Sequence, residues 1–376
     1  MHIPDGYLSP TTCATLYAAA APFWYVAFQR LKRFLHTKAL PLLSVFAAFS
    51  FVVMMFNLPL PGGTTGHAVG MAIAAIVLGP WGAMVAISIA LTIQALLFGD
   101  GGITTLGANC FNMAIMGSLA AYGVYRMVAY RAEITARRQV IAAALAGYVA
   151  INVSALLTAI ELGLQPLLFK DASGAPLYAP YPMTIAVPAM LIGHLTFAGL
   201  AEMFVTAGLV AYLQKSNPAL LERTANIGSI GPPPQTAPVG GWRATRPLWI
   251  GLALLLIATP LGLLAAGGAW GEWGPEAFTD PEMREQIQAA SGGVPLPEER
   301  PQGMEQLSSI WTAPFPDYAP PFLKSKEYGY VMAAMLGVGL ILAVFLLVGW
   351  MIPANSAKEK KSDPGTPGRD RMSASL

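Results

Sequence analysis

Apolar stretches close to the length of a bilayer-spanning helix alternate along this chain with short polar breaks. A helix rises about 1.5 Å per residue, so roughly 20 apolar residues cross a hydrocarbon core. Runs of that kind lie at about 12–29, 40–58, 68–80, 82–98, 108–129, 139–163, 183–213, 247–268 and 327–351. The third and fourth are one apolar stretch broken at Gly79-Pro80, and a piece as short as 68–80 spans only with help from neighbours. The pattern predicts nine crossings, seven before the polar segment 214–246 and two after it.

Composition agrees with the pattern. Hydrophobic residues make up 55% of the 376 positions and charged residues only 11%, with a mean hydropathy of +0.54. Soluble domains carry about 25% charged residues, so a pair of soluble domains is excluded. The expectation is an all-α polytopic membrane protein: a seven-helix bundle followed by two further transmembrane helices. The two cysteines, Cys13 and Cys110, lie in apolar runs and match neither a disulfide framework nor a zinc spacing.

The formal net charge of +2 decides little, but its distribution orients the chain. With the N-terminus outside, 17 of the 22 Lys and Arg fall on inner segments, and only Lys170, Arg284, Arg300, Lys324 and Lys326 fall outside. Inner loops of membrane proteins carry that excess. An odd number of crossings then leaves the C-terminus in the cytoplasm. The outer segment 269–326 is rich in Pro and acidic residues and reads mostly as loop, with PEMREQIQ able to form a short helix. The segment 216–246 reads as a Pro- and Gly-rich linker, and 352–376 as a polar, disordered tail.

Polar residues concentrate in three segments on the outer side: the N-terminal MHIPDGYLSP, PLPGGTTGHAVG at 59–70, and FGDGGITTLGANCFN at 98–112. The decapeptide is no signal peptide, for it lacks a basic start and has Pro4 and Gly6 where an apolar core would begin. Bulky His2 should leave Met1 and its α-amine in place. That amine, the His2 amide nitrogen and the His2 imidazole Nδ1 can close two fused chelate rings on one metal ion. Square-planar nitrogen ligation suits Ni(II) and Cu(II), and three nitrogens leave one position open. A lone loop histidine is more often solvated or structural than a ligand. His67, however, lies on the same face as a chelate that lacks one donor. Asp100, Thr104, Thr105 and Asn109 are then expected to surround the ligands, holding the decapeptide and orienting His67. Amine and amide must both lose protons to bind, so affinity should fall in acid.

His194 and Glu202 lie eight residues apart in one apolar run, near one face of a helix. Two groups make a poor metal site, so a structural or coupling pair is the plainer reading, with a second metal or proton site as the alternative.

The motifs MHIPDGYLSP, PGGTTGH, DGGITTLGANCFNM and GHLTFAGLAE, in that order within residues 1–215, resemble the CbiM/NikM family. That family supplies the membrane substrate-binding component of energy-coupling-factor transporters for nickel and cobalt. The resemblance implies a seven-helix domain over 1–215 whose N-terminus folds back into the bundle, with Met1, His2 and His67 as metal ligands. It also implies ABC-type ATPase subunits and a membrane coupling subunit as partners. Residues 247–351 are similar to the small CbiN/NikN-type partner, a two-helix module with an outer loop, although a clear PDGLE signature is missing from that loop. MHIPDG is closer to nickel branches and MHIMEG to cobalt branches, which puts Ni(II) ahead of Co(II) as the transported substrate.

The expected function is metal capture at the cell inner membrane, without a cofactor and without catalysis. No GxxxxGK[ST] is present for ATP hydrolysis, no HExxH for a metalloenzyme, and nothing points to nucleic acid. The alternative is an autonomous secondary transporter or channel for divalent cations. Such a protein would place acidic residues deep in several helices, whereas here the polar groups gather in outer loops.

Overall fold

The computed structural model describes residues 1–32, 40–60, 64–221, 242–264, 273–290, 296 and 298–351. Most of the expected linker and the whole of the expected tail lie outside the described residues. The first long helix, α1, runs Pro10–Lys32, and α2 runs Leu40–Met54. The expected continuation of α2 to residue 58 does not form. The chain instead turns into a small antiparallel hairpin, β1 (Leu58–Leu60) against β2 (Thr64–Gly66). That hairpin carries the backbone straight into His67.

The break at Gly79-Pro80 separates α3 (Met71–Leu78) from α4 (Pro80–Ile93). Gly79 takes a positive φ of 76°, and Pro80 opens the new helix, where its missing N–H costs nothing. Helix α4 continues as a π-helical segment, Gln94–Phe98. The next run is α5 (Leu106–Asn109), a π-helical stretch Cys110–Gly117, and α6 (Ser118–Val128). The longest helix, α7, covers Arg137–Leu168. It packs on α6, α8 (Met183–Gly193) and α9 (Gly199–Ser216), the last two joined by a third π segment, His194–Ala198. Small residues let these helices close up. A Cβ at Gly147 of α7 would come within 2.8 Å of the Glu202 carbonyl oxygen on α9.

In the C-terminal part, α10 (Trp242–Ala258) passes into a 3-10 turn at Thr259–Leu264 and packs on α2. The final helix, α13 (Lys326–Met351), packs along α2 and α4. Between them lie two short helices, α11 (Pro281–Ala290) and α12 (Gln302–Ser308). Five described helices are long and apolar enough to cross a membrane: Pro80–Phe98, Arg137–Leu168, Met183–Ser216, Arg246–Leu264 and Lys326–Val348. The protein is an all-α, multi-pass membrane protein.

Two apolar cores hold it together. The larger joins α2, α3 and α4 to Tyr330, Ala334 and Ile341 of α13. The smaller forms around the decapeptide: Ile3, Tyr7 and Leu8 pack with Leu162, Tyr181, Met190, Phe278, Ile287 and Met304. Among its described residues, the segment expected to be mostly loop therefore contributes helices and core side chains that its composition does not suggest. Its Phe278 and Met304 are buried because their apolar partners come from the other end of the chain.

Candidate metal centre

The N-terminal decapeptide is docked by burial and by hydrogen bonds. Ile3, Tyr7 and Leu8 are fully buried, each worth about 1.5–3 kcal/mol over leaving the side chain in water. Asn109 grips Ile3 like a strand neighbour: its Oδ1 accepts from the Ile3 amide at 2.8 Å and its Nδ2 donates to the Ile3 carbonyl at 3.0 Å. Thr105 Oγ1, at 2.5 Å, and the Gly102 amide, at 2.9 Å, donate to the same carbonyl. Asp5 accepts from the amides of Ile103 (3.0 Å) and Thr104 (2.7 Å) and from the Thr104 hydroxyl. Farther along, the Ser9 amide donates to Gln165 Oε1 at 2.9 Å and the Tyr7 hydroxyl to the Trp273 carbonyl at 2.9 Å.

Docking this close needs a residue without a side chain opposite Asp5. A Cβ on Gly102 would overlap both the carboxylate and the amide of Asp5. Gly102→Ala is expected to destabilise the protein by about 1–3 kcal/mol, as overpacking does, and to weaken metal binding with it. Thermal unfolding in detergent, followed by a Ni(II) titration, checks both effects.

The docked terminus brings His2 onto His67. Their rings stack with centroids 4.9 Å apart and planes 26° from parallel. His67 Nδ1 faces the Ala68 carbonyl at 3.1 Å, which fixes the proton there and leaves the lone pair on Nε2. That Nε2 is buried with no hydrogen-bond partner, and so is Nε2 of His2. Buried polar atoms without partners are rare enough to call for a ligand or a role. Burial first, and then the charges of the N-terminal amine and His2, hold His67 well below the ordinary imidazole pKa.

Asp100 stands on the other side of His2, with Oδ1 2.5 Å from His2 Nδ1. Burial works to raise its pKa, but the charge and hydrogen bond of His2 overcome this and leave the carboxyl well below the usual carboxylate range. This arrangement departs from the expected one in a specific way. The nitrogen that the chelate would use is engaged by Asp100, so a metal bound there would meet the carboxylate at one edge of the ring.

The residues expected around the ligands divide by task. Asn109, Thr104 and Thr105 hold the decapeptide, Asp100 contacts His2, and His67 is set by its own loop. That loop is anchored by Glu202, whose Oε2 accepts from the amides of Val69 (2.7 Å) and Gly70 (2.9 Å) and Oε1 from Ala72 (3.3 Å). Helix α3 has no side-chain cap of its own, and this carboxylate fills that role from α9. His194 does not bond Glu202. Its Nδ1 meets the Met190 carbonyl of α8 at 2.7 Å, its Nε2 is buried without a partner, and it lies within electrostatic reach of the N-terminal amine.

Asn112, the last polar residue of the 98–112 segment, meets polar groups of α7 that the sequence reading did not single out. Asn112 Nδ2 donates to Glu161 Oε2 at 2.8 Å, and Ser154 Oγ donates to the Asn112 carbonyl at 2.8 Å, all buried. Their signal is a polar position every three or four residues along α7, visible in Ser154, Thr158, Glu161 and Gln165. Among the described residues, no three His, Cys, Asp or Glu side chains gather around a common metal position. Two of the four donors expected here are the terminal amine and a backbone amide, so side chains alone do not outline the site.

Fold and site together define a multi-pass helical membrane protein whose first residues dock so that the imidazoles of His2 and His67 stack. Residues 2–220 match the family described as the cobalt uptake substrate-specific transmembrane region, CbiM, and residues 245–354 match the PDGLE domain. The chain belongs to the CbiM family, fused to a NikN-like module. It is 56% identical to the fused nickel transport protein NikMN of Rhodobacter capsulatus, over 91% of this chain and 95% of that one. It is 41% identical to the probable fused nickel transport protein LarMN of Lactiplantibacillus plantarum, again over 91% and 95%. The crystal structure of a truncated transition metal transporter is similar at 51% identity and a TM-score of 0.53, covering 57% of this chain and 98% of the other. The PDGLE match spans residues 245–354 although the loop lacks the short signature itself, so the likeness rests on the whole module.

Proposed function

We propose that this chain is the substrate-capturing membrane component of an ATP-driven, energy-coupling-factor importer, and that it takes up Ni(II), with Co(II) second. The observation that carries the reading is the stacking of His67, with its buried and unpartnered Nε2, on the imidazole of His2 in the anchored N-terminal segment. The Met1 amine, the His2 amide nitrogen and His2 Nδ1 form the chelate, and His67 Nε2 completes the plane. Asp100 gives up Nδ1 to the metal and remains beside it as the offsetting negative charge. Cu(II) would bind such a set more tightly still, so geometry and supply must select against it. Relatives named as nickel transport proteins support this choice of metal.

Residues 1–215 capture the metal from the extracytoplasmic side and 247–351 form the fused module, joined through the cytoplasmic linker 216–246. The N-terminus is outside and the C-terminus inside, as the distribution of Lys and Arg requires. Partner ATPase subunits and a coupling membrane subunit supply the energy.

The test is a competition titration of the purified chain with Ni(II) and Co(II), followed by uptake into vesicles with and without the partner subunits. One equivalent of Ni(II), held more tightly than Co(II) and more weakly as pH is lowered, is the expected result. Uptake should require the ATPase. Ion-gradient uptake by this chain alone would favour the secondary transporter instead.

A further inference from the structure

One side chain of the module that follows residue 245 touches the carboxylate beside His2. Tyr318 is buried, 4% exposed, and lies just before α13. Its hydroxyl donates to Asp100 Oδ2 at 2.6 Å and accepts from Gln94 Nε2 at 2.9 Å. The two oxygens of Asp100 are thereby divided. Oδ2 faces Tyr318, and Oδ1 faces His2 at 2.5 Å.

The surrounding loop is built to deliver that hydroxyl. Asp317 and Tyr318 both take left-handed conformations, with φ of 54° and 57°. Such conformations cost about 1–3 kcal/mol each and persist only where the surroundings impose them. The surroundings are here. The Tyr318 ring stacks on Phe98 with centroids 4.8 Å apart, and Phe51 and Tyr330 close around it edge-on. The π segment Gln94–Phe98 leaves carbonyls open at its end. The Trp311 indole takes that of Leu96, and the Phe315 amide takes that of Leu97, both at 2.9 Å.

We propose that Tyr318 is a positioning residue of the metal site, through which the fused module aims the Asp100 carboxylate at the metal-binding N-terminus. The proposal rests on the reading of Met1, His2 and His67 as the ligands. A divalent ion chelated by one deprotonated amide keeps one positive charge, and a buried carboxylate at a fixed distance offsets it. Without the phenol, Oδ2 loses its closest donor and keeps the longer contact from Gln94 Nε2 at 3.3 Å, so the carboxylate is held less firmly toward His2. The covalent fusion then sets the affinity of a site whose ligands all lie in the first 67 residues.

The experiment uses the full chain in detergent, titrated with Ni(II) against a competing chelator, with the absorption spectrum of the loaded protein recorded. Tyr318→Phe keeps the stacked ring and removes only the hydroxyl. It should lower Ni(II) affinity by about tenfold or more, the usual effect of losing a partner that orients a metal site, and alter the Ni(II) absorption bands. Tyr330→Phe is the control. It removes another buried hydroxyl from the same aromatic cluster, one that donates to the Met55 carbonyl at 2.9 Å, and it should leave affinity and spectrum unchanged. In an Asp100→Ala background, Tyr318→Phe should have no further effect, because the group it acts through is gone. Equal losses from the two Tyr variants, or additive losses with Asp100→Ala, would overturn the proposal in favour of simple packing. An unaltered chain that binds Ni(II) alongside a Tyr318→Phe chain that binds it identically sinks this proposal alone. An unaltered chain that binds no Ni(II) sinks the ligand assignment, and this proposal with it.

Discussion

Extending the chain by two residues ahead of Met1 is expected to reduce Ni(II) affinity by at least about a hundredfold while every native side chain is kept. The extension turns the Met1 amine into a peptide nitrogen and so removes the donor that anchors the chelate. Four-donor metal sites gain on the order of 10–16 kcal/mol from their ligands, so one anchoring donor is worth several kcal/mol. At about 1.4 kcal/mol per decade, that is two orders of magnitude or more. His2→Ala should do at least as much, since it removes the imidazole and also leaves Asp100 Oδ1 without its partner. Inserting a single residue between Met1 and His2 would be a poor substitute. It moves the histidine to third place, where the amine, two amides and the imidazole can form a different four-nitrogen chelate. A competition titration of the extended chain is decisive, with thermal unfolding run in parallel to verify that Ile3, Tyr7 and Leu8 remain docked. Undiminished binding would remove the N-terminus from the site, and His67 and His194 would then be the place to look.

The parts of this architecture that follow from local chemistry could be read from the sequence. The Gly79-Pro80 break falls between two helices because a positive φ and a missing N–H both stop a helix there. MHIPDGYLSP stood out because no transmembrane or secretory logic accounts for a polar, Pro-containing start. Asp100, Thr104, Thr105 and Asn109 are close to the decapeptide, as their place in a Gly-rich loop suggested. What could not be read depends on distant partners. Nothing local distinguishes Tyr318 from other tyrosines, and the carboxylate it meets is 218 positions away. The π segments are invisible in apolar helices, since one extra residue per turn leaves an almost wholly apolar pattern unchanged. Likewise Phe278, Ile287 and Met304 are buried with Ile3 and Tyr7, which no window on their own segment includes. His194 and Glu202 were read as one pair by their spacing, yet the π segment between Gly193 and Gly199 shifts the helical register. They serve different neighbours.

Glu202 is where stability and metal binding should be lost together. Its carboxylate is fully buried and accepts from three backbone amides at the start of α3, directly after His67. Hydrogen bonds to a charged group contribute about 1.5–3 kcal/mol each, and a buried amide left without an acceptor costs about 1–3 kcal/mol. Glu202→Ala removes the acceptor and leaves three such amides where water does not reach. A loss on the order of 3–5 kcal/mol is expected, at the upper end for a single substitution. Glu202→Gln keeps one acceptor oxygen and should fall between the two. The same change frees the loop that carries His67, so residual Ni(II) affinity should drop by about tenfold even in the folded fraction, the scale seen when a group orienting a ligand is removed. Thermal unfolding of both variants in detergent measures the first effect, and titration below the unfolding range measures the second. An unchanged melting temperature for Glu202→Ala would mean that the three amides find other acceptors and that α3 does not depend on α9. A large stability loss with unchanged affinity would separate the two roles, leaving His67 held by its contact with Ala68 and its stacking on His2 alone.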